Sequence, residues 1–226
     1  MQLIIEGEMT AAAIEQIQNI NPNVIFLDAN TNIRGCNIVR NDFSEATTNI
    51  LDTLYEMGHR NIAYIGGKSA VINLDGKIVL RKDDLREDGY IAWMKMHNLE
   101  QYCHTFTANW SADEALEATN QLLQLKDRPT AIVVASDSMA LNDANVNIPN
   151  NILVASFDDV EINRFLAPTL SSIDMNTEEM GKATIRFVCF RQLTYWNLFI
   201  FPFTINFYFL FFIKFRHSKD LKVSHF

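Results

Sequence analysis

The sequence predicts an α/β protein built on parallel sheets with helices on both faces, and three observations predict it. Short apolar runs alternate with amphipathic stretches from the start of the chain to residue 188. With 226 residues, 48% of them hydrophobic, the chain can bury a sizeable core, as one large domain or as two lobes of about a hundred residues each. Polar residues collect just after the apolar runs, at Asp28, Gly66-Gly67, Asn109-Trp110, Ser136-Asp137 and Asp158-Asp159. Parallel sheets bind ligands beyond the carboxyl ends of their strands, so these are the places where a ligand would sit.

The first strand is read at Val24–Leu27. Between Asp42 and Gly58, apolar Phe43, Ala46, Ile50, Leu51, Leu54 and Met57 recur at helical spacing; Asp42 and Glu45 suit a capping box, and Gly58 suits the C′ stop. Strands follow at Asn61–Ile65 and Thr105–Thr107. Ser111 and Glu114 open a helix whose apolar face is Ala115, Leu116, Thr119, Leu122 and Leu123, and Asp127-Arg128-Pro129 ends it. The last strands are Ala131–Ala135, Ile152–Phe157 and Ser172–Asp174.

Charge narrows the function. The net charge is -8, and residues 189–226 hold five basic residues and one acid, leaving 14 basic against 26 acidic residues in 1–188. A body so acidic repels phosphate backbones, so nucleic-acid contact requires another module. Cys36, Cys103 and Cys189 form no C-x-x-C pair, which disfavours a disulfide framework and a zinc site. Met1-Gln2-Leu3-Ile4-Ile5-Glu6 has neither the basic n-region nor the apolar h-region of a secretory signal. A cytoplasmic protein without a cofactor or metal is expected.

Residues 189–226 depart from the pattern, with ten of the sixteen phenylalanines and no glycine or alanine. Gln192 to Ile213 carries no charge and is followed by Lys214, Arg216, His217 and Lys219. Two readings are open: a transmembrane span, or a non-native, aberrant aromatic tail of the kind that out-of-frame AT-rich DNA encodes. The second is preferred.

Several segments occur in one order. Leu54-Tyr55-Glu56-Met57-Gly58-His59-Arg60-Asn61-Ile62-Ala63-Tyr64-Ile65-Gly66-Gly67 resembles the L-x-x-x-G-H-x-x-I-A-x-I-x-G segment of LacI/GalR transcriptional repressors. Arg86-Glu87-Asp88-Gly89-Tyr90 resembles their R-x-x-G-[FY] helix, and Pro129-Thr130-Ala131-Ile132 with Ser136-Asp137-Ser138-Met139-Ala140 their P-T-A-[IV] and N-D-x-M-A segments. Ile148-Pro149, Ser156-Phe157-Asp158-Asp159 and Pro168-Thr169-Leu170-Ser171-Ser172-Ile173 continue in family style. The resemblance spans nearly all of residues 3–188.

It implies a type I periplasmic binding protein-like fold, with two doubly wound parallel-sheet lobes and a ligand cleft between. The expected division is 1–104 plus 174–188 for an incomplete N-terminal lobe, 105–173 for the C-terminal lobe, and 189–226 for the tail. The implied function is that of a sugar-responsive effector-binding domain of a transcription regulator, with galactosides favoured. DNA operator contact would come through an N-terminal helix-turn-helix head absent from these residues. Family members form homodimers; here weak or absent dimerisation is expected. The alternatives are a sugar solute-binding protein of a transporter and an inactive repressor remnant. The helix expected between Ala140 and Ile148 looks about two turns too short.

Sugars are held by planar polar groups that pair with vicinal hydroxyls and by aromatic faces against ring C–H groups. Arg86 matches the motif arginine and would donate a fork; its other reading is a surface ion pair with Asp83 or Glu87. Asp158 would accept from two hydroxyls, or cap the following helix. Trp110, in a segment that resembles the D-W-S turn of some lactose-type repressors, would stack on the sugar, or shield a lobe edge. Ser136 stands where the family often has asparagine, and Asp137 beside it binds or caps. Asp42 faces the cleft or caps its helix. His59 reads as structural. Gly67-Lys68-Ser69 mimics the end of a P-loop, but Ile62 occupies the place of the required glycine. Asp158-Asp159 on one turn does not flank a bond as glycosidase acids do. Binding without turnover, with no catalytic residue, is expected.

Overall fold

A computed structural model describes residues 2–29, 35–140, 152–165 and 170–194. In chain order the elements are β1 (Leu3–Glu6), β2 (Glu8–Met9), α1 (Ala11–Ile20), β3 (Val24–Leu27), β4 (Asn37–Val39), α2 (Phe43–Glu56), β5 (Ile62–Gly66), β6 (Ser69–Ile72) and β7 (Ile78–Lys82). They continue with α3 (Leu85–Met96), β8 (His104–Thr107), α4 (Ala112–Leu123), β9 (Ala131–Val134), α5 (Asp137–Ala140), β10 (Leu153–Asp158), β11 (Ser171–Asp174) and α6 (Thr177–Thr194). The chain forms two compact units.

Among the described residues the first unit comprises 2–29, 35–42, 69–82 and 176–194. Its parallel sheet runs β1-β3-β4. The two-residue period of β3 sends Val24 and Phe26 to one face, among Ile14 and Ile17 of α1, and Ile25 to the other, with Val39 and with Ala183 of α6. Thr10 caps α1 by accepting from the Ala13 amide at 3.2 Å. A second sheet, β2-β6-β7, holds an antiparallel β6–β7 hairpin.

The second unit comprises Phe43–Lys68 and Asp83–Met175, with 212–226 outside the described residues. Its sheet is parallel throughout, in the order β11-β10-β9-β5-β8. One face carries Ala63, Ile65, Ile132 and Val134 against Ala115, Ala118 and Leu122 of α4. On the other, Tyr64 stacks on Tyr90 of α3 at 5.5 Å, and the Tyr90 hydroxyl donates to the Ile62 carbonyl at 2.7 Å.

The helix ends follow the sequence signals. Gly58, at φ +97°, ends α2 in a Schellman motif: the Gly58 amide donates to Tyr55 and the His59 amide to Leu54, both at 3.0 Å. Asn98, at φ +56°, does the same for α3. Ser111 caps α4, accepting from Glu114 N at 3.4 Å.

The units divide the chain differently from the lobes drawn at 1–104 with 174–188 and at 105–173. Those lobes group α2, β5 and α3 with the first sheet, whereas β5 hydrogen-bonds to both β8 and β9 at the centre of the second. The segment 141–151, where a shortened helix was expected, lies outside the described residues, as does the tail from 195 onward. Among the described residues no helix is long and apolar enough to cross a membrane.

Candidate functional site at the carboxyl edge of the five-stranded sheet

The first strand of the second unit, β5, lies between the second, β8, and the third, β9, so the strand order reverses between β5 and β9. Ligands of open α/β sheets bind outside the carboxyl ends at such a switch point. Gly66 ends β5 there with Gly67 next to it, and Ala135-Ser136 follow β9. Backbone strain collects on the same edge: Asn109 (φ +43°) and Trp110 (φ +62°) follow β8, and Asp158 (φ +104°) and Asp159 (φ +45°) end β10. Non-glycine residues occupy this region at a cost, and such outliers concentrate at functional sites.

Two things hold the Asn109-Trp110 turn. Asn109 Nδ2 donates to Glu114 Oε2 at 2.9 Å, and the indole Nε1 of Trp110 donates to the Lys68 carbonyl at 3.1 Å. The indole lies directly over Gly67, where an added Cβ would come within 2.6 Å of Nε1. One face of Trp110 is therefore fixed by backbone while the residue stays partly exposed.

Arg86 is buried, 7% exposed, in the first turn of α3. Asp84 caps that helix and holds Arg86 twice, through its backbone amide at 3.0 Å and through Nη1 at 2.8 Å. The guanidinium stands over the ring of Phe43 at 3.7 Å, with Phe157 at 5.2 Å and Trp110 at 5.5 Å. Its Nε is buried and has no hydrogen-bond partner in the protein. The surface ion pair with Asp83 or Glu87 does not form, because Lys68 takes both, Glu87 at 3.3 Å. Beneath the glycines the Tyr64 hydroxyl is also buried without a partner. Burial, and then the negative field of Asp84, drives its pKa far above the ordinary tyrosine value.

Ser136 is buried, and its Oγ lies 2.7 Å from that of Ser138. Asp137 is fully buried. Its Oδ1 accepts from the hydroxyls of Ser156 and Ser172, the latter at 2.7 Å, and its Oδ2 from Val160 N at 2.9 Å and Asn163 Nδ2 at 2.6 Å. Asp158 is half-buried, and its neighbour Asp159 donates its amide to Ser172 Oγ at 2.9 Å.

Of the six residues singled out from the sequence, the structure brings Arg86 and Trp110 together on one edge, with Ser136 and Asp137 just past β9 and Asp158 at the end of β10 in the same sheet. Asp42 falls in the first unit, half-buried, immediately before α2. His59 sits at the α2–β5 turn, its Nδ1 2.8 Å from Thr130 Oγ1, and burial followed by the Arg60 charge holds it below its ordinary pKa. Sequence reasoning missed Asp84, Phe43 and Phe157. Among the described residues no group of His, Cys, Asp and Glu is arranged to hold a metal ion.

Comparisons with known proteins bear on the fold. A family profile described as a periplasmic binding protein-like domain matches residues 51–193. The chain is 27% identical over 187 residues to the HTH-type transcriptional regulator GalR of Lacticaseibacillus casei, covering 79% of this chain and 55% of that protein. It thus spans about half the length of that relative. Among solved structures, a LacI transcriptional regulator from a Rhodococcus species superposes with a TM-score of 0.65 at 25% identity, over 81% of this chain and 67% of that one. A LacI-family regulator from Lactobacillus casei with bound glucose shares the fold, with a TM-score of 0.68 at 21% identity over 87% and 74% of the two chains. Since the matched profile covers more than half of the sequence, the chain belongs to the periplasmic binding protein-like domain family, and about four-fifths of it is similar to regulators of the LacI/GalR type.

Proposed function

We propose that the chain binds a small sugar, of galactoside type, at the carboxyl edge of the five-stranded sheet, and that it binds without turning the sugar over. The observation that carries this reading is Arg86: a buried guanidinium, oriented by Asp84, flanked by three aromatic rings and left with an unpartnered Nε. Such a group donates to vicinal hydroxyls while the rings exclude water. Trp110 would supply the face for ring C–H groups, Ser136 one hydroxyl contact, and Asp158 an acceptor for two hydroxyls. The sugar named with the solved Lactobacillus casei regulator supports the substrate class. The galactoside preference rests on the resemblance of Asn109-Trp110-Ser111 to the D-W-S turn. DNA contact, in this reading, belongs to a separate basic module, because residues 1–188 are strongly acidic.

The test is a thermal-shift titration against galactosides, glucosides and nucleobases. Ligand at a hundred times Kd stabilises by about 2.7 kcal/mol, which for a chain of this length raises Tm by about 5–10 °C. A galactoside-specific rise abolished in Arg86→Ala is the expected result. A rise that survives Arg86→Ala places the ligand elsewhere, and a rise with nucleobases alone overturns the sugar class.

A further inference from the structure

We infer that Asp137 is a positioning residue: its carboxylate anchors the left-handed Asp158–Val160 turn to β9 and β11 and thereby aims Asp158, without itself touching the ligand. The inference rests on the sugar site proposed above only for the identity of the ligand. Asp137 is fully buried, and its four donors come from the whole surroundings of that turn. Ser156 is on β10 and Ser172 on β11, Val160 is two residues past Asp158, and Asn163 lies on the short 3-10 helix that follows. Ser172 serves twice, donating to Asp137 and accepting the Asp159 amide, so the strained residues at φ +104° and +45° are tied on both sides. Two accepting oxygens with four donors leave the carboxylate little capacity for a ligand hydroxyl.

The arrangement of donors makes the role separable from that of a ligand contact. Both partners of Oδ2, a backbone N–H and an amide NH2, can only donate. Both partners of Oδ1 are hydroxyls, which reverse direction at will. An asparagine with its oxygen in the Oδ2 position and its NH2 toward Ser156 and Ser172 therefore satisfies all four, whereas alanine satisfies none. Asn163→Asp sets two carboxylates against each other and should break the anchor from the opposite side.

The experiment uses the full chain and two readouts. Amide hydrogen exchange of the 153–165 segment is followed without ligand, and binding of methyl β-galactoside is followed by calorimetry. Asp137→Ala and Asn163→Asp are expected to speed exchange at 158–163, with the Ile132–Val134 amides unchanged, and to weaken binding tenfold or more; Asp137→Asn recovers most of both. Should Asp137→Ala fail to fold, Ser172→Ala removes the shared hydroxyl alone and is expected to show the same two changes in smaller degree. Protected exchange combined with lost binding in Asp137→Asn would mean that the charge meets the ligand, which overturns the inference. Unchanged exchange in Asp137→Ala and Ser172→Ala overturns it as well. If the unaltered chain binds no methyl β-galactoside, the ligand assignment fails while the exchange result still decides the anchor.

Discussion

At the scale of single residues, the proposed site depends on a close approach that only glycine permits. Gly67 is not in the left-handed region, so its backbone accepts alanine; what does not is the indole of Trp110, 2.6 Å from where the new Cβ would stand. The indole must move, and the hydrogen bond from Nε1 to the Lys68 carbonyl is lost. That bond and the stacking surface are each worth about 1 kcal/mol. The stacking term sets the binding loss and the hydrogen bond the stability loss, so Gly67→Ala should weaken sugar binding by about fivefold, with increased quenching of tryptophan fluorescence by iodide and a fall in Tm of about 2–4 °C. Unaltered affinity together with increased quenching would exclude Trp110 as a ligand face. The same locality explains the roles of Arg86 and Lys68: Asp84, as N-cap, is close enough to claim the guanidinium, and Asp83, one residue earlier, is left to Lys68.

Among elements, the joint between α2 and β5 carries the clearest pH signature. His59 follows the Schellman motif and reaches Thr130, which precedes β9, so one imidazole links the end of a helix to the start of a neighbouring strand. Burial and Arg60 lower its folded-state pKa below the unfolded value of about 6.5. The unfolded chain then binds more protons as pH falls through that value, so this residue's contribution is present above it and is lost on acidification toward the folded pKa. Between pH 7 and 5.5 the fall in Tm should be smaller in His59→Gln than in the unaltered chain; equal slopes would show that His59 is not a source of the acid sensitivity. This joint was legible in the sequence because Gly58 announces a left-handed stop. So were Val24–Leu27, the β9 and β10 runs and the Ser111 cap, since apolar runs and capping residues act through neighbours in sequence. The β6–β7 hairpin was not read, although Asp75-Gly76 marks its turn and Asn73 Oδ1 accepts from Asp75 N and Lys77 N. Ile78-Val79-Leu80 lacks the alternation that betrays a half-buried strand; all three are exposed. Arg86 and Trp110 came from motifs, but Phe43 and Phe157 read as ordinary core residues. That they face a guanidinium depends on contacts made by residues far apart in sequence.

For the molecule as a whole, charge decides which partners are admissible. Residues 1–188 hold 26 acids against 14 bases, while 189–226 hold five bases and one acid. A protein that neutralises six to ten phosphates gains about 10³–10⁵ in affinity when salt falls from about 200 to about 50 mM, through release of condensed counterions. An acidic body gives the opposite sign, because lowering salt lengthens the screening distance and strengthens repulsion from the duplex. If operator contact belongs to a separate module, fluorescence anisotropy of a labelled duplex should show no saturable binding by this chain at either salt concentration, with or without sugar. Binding that strengthens steeply as salt is lowered would instead assign phosphate contact to the basic residues of 189–226. Those residues would then be a functional part of the chain, and the division between a sugar-binding body and a separate DNA-binding module would have to be redrawn at that segment.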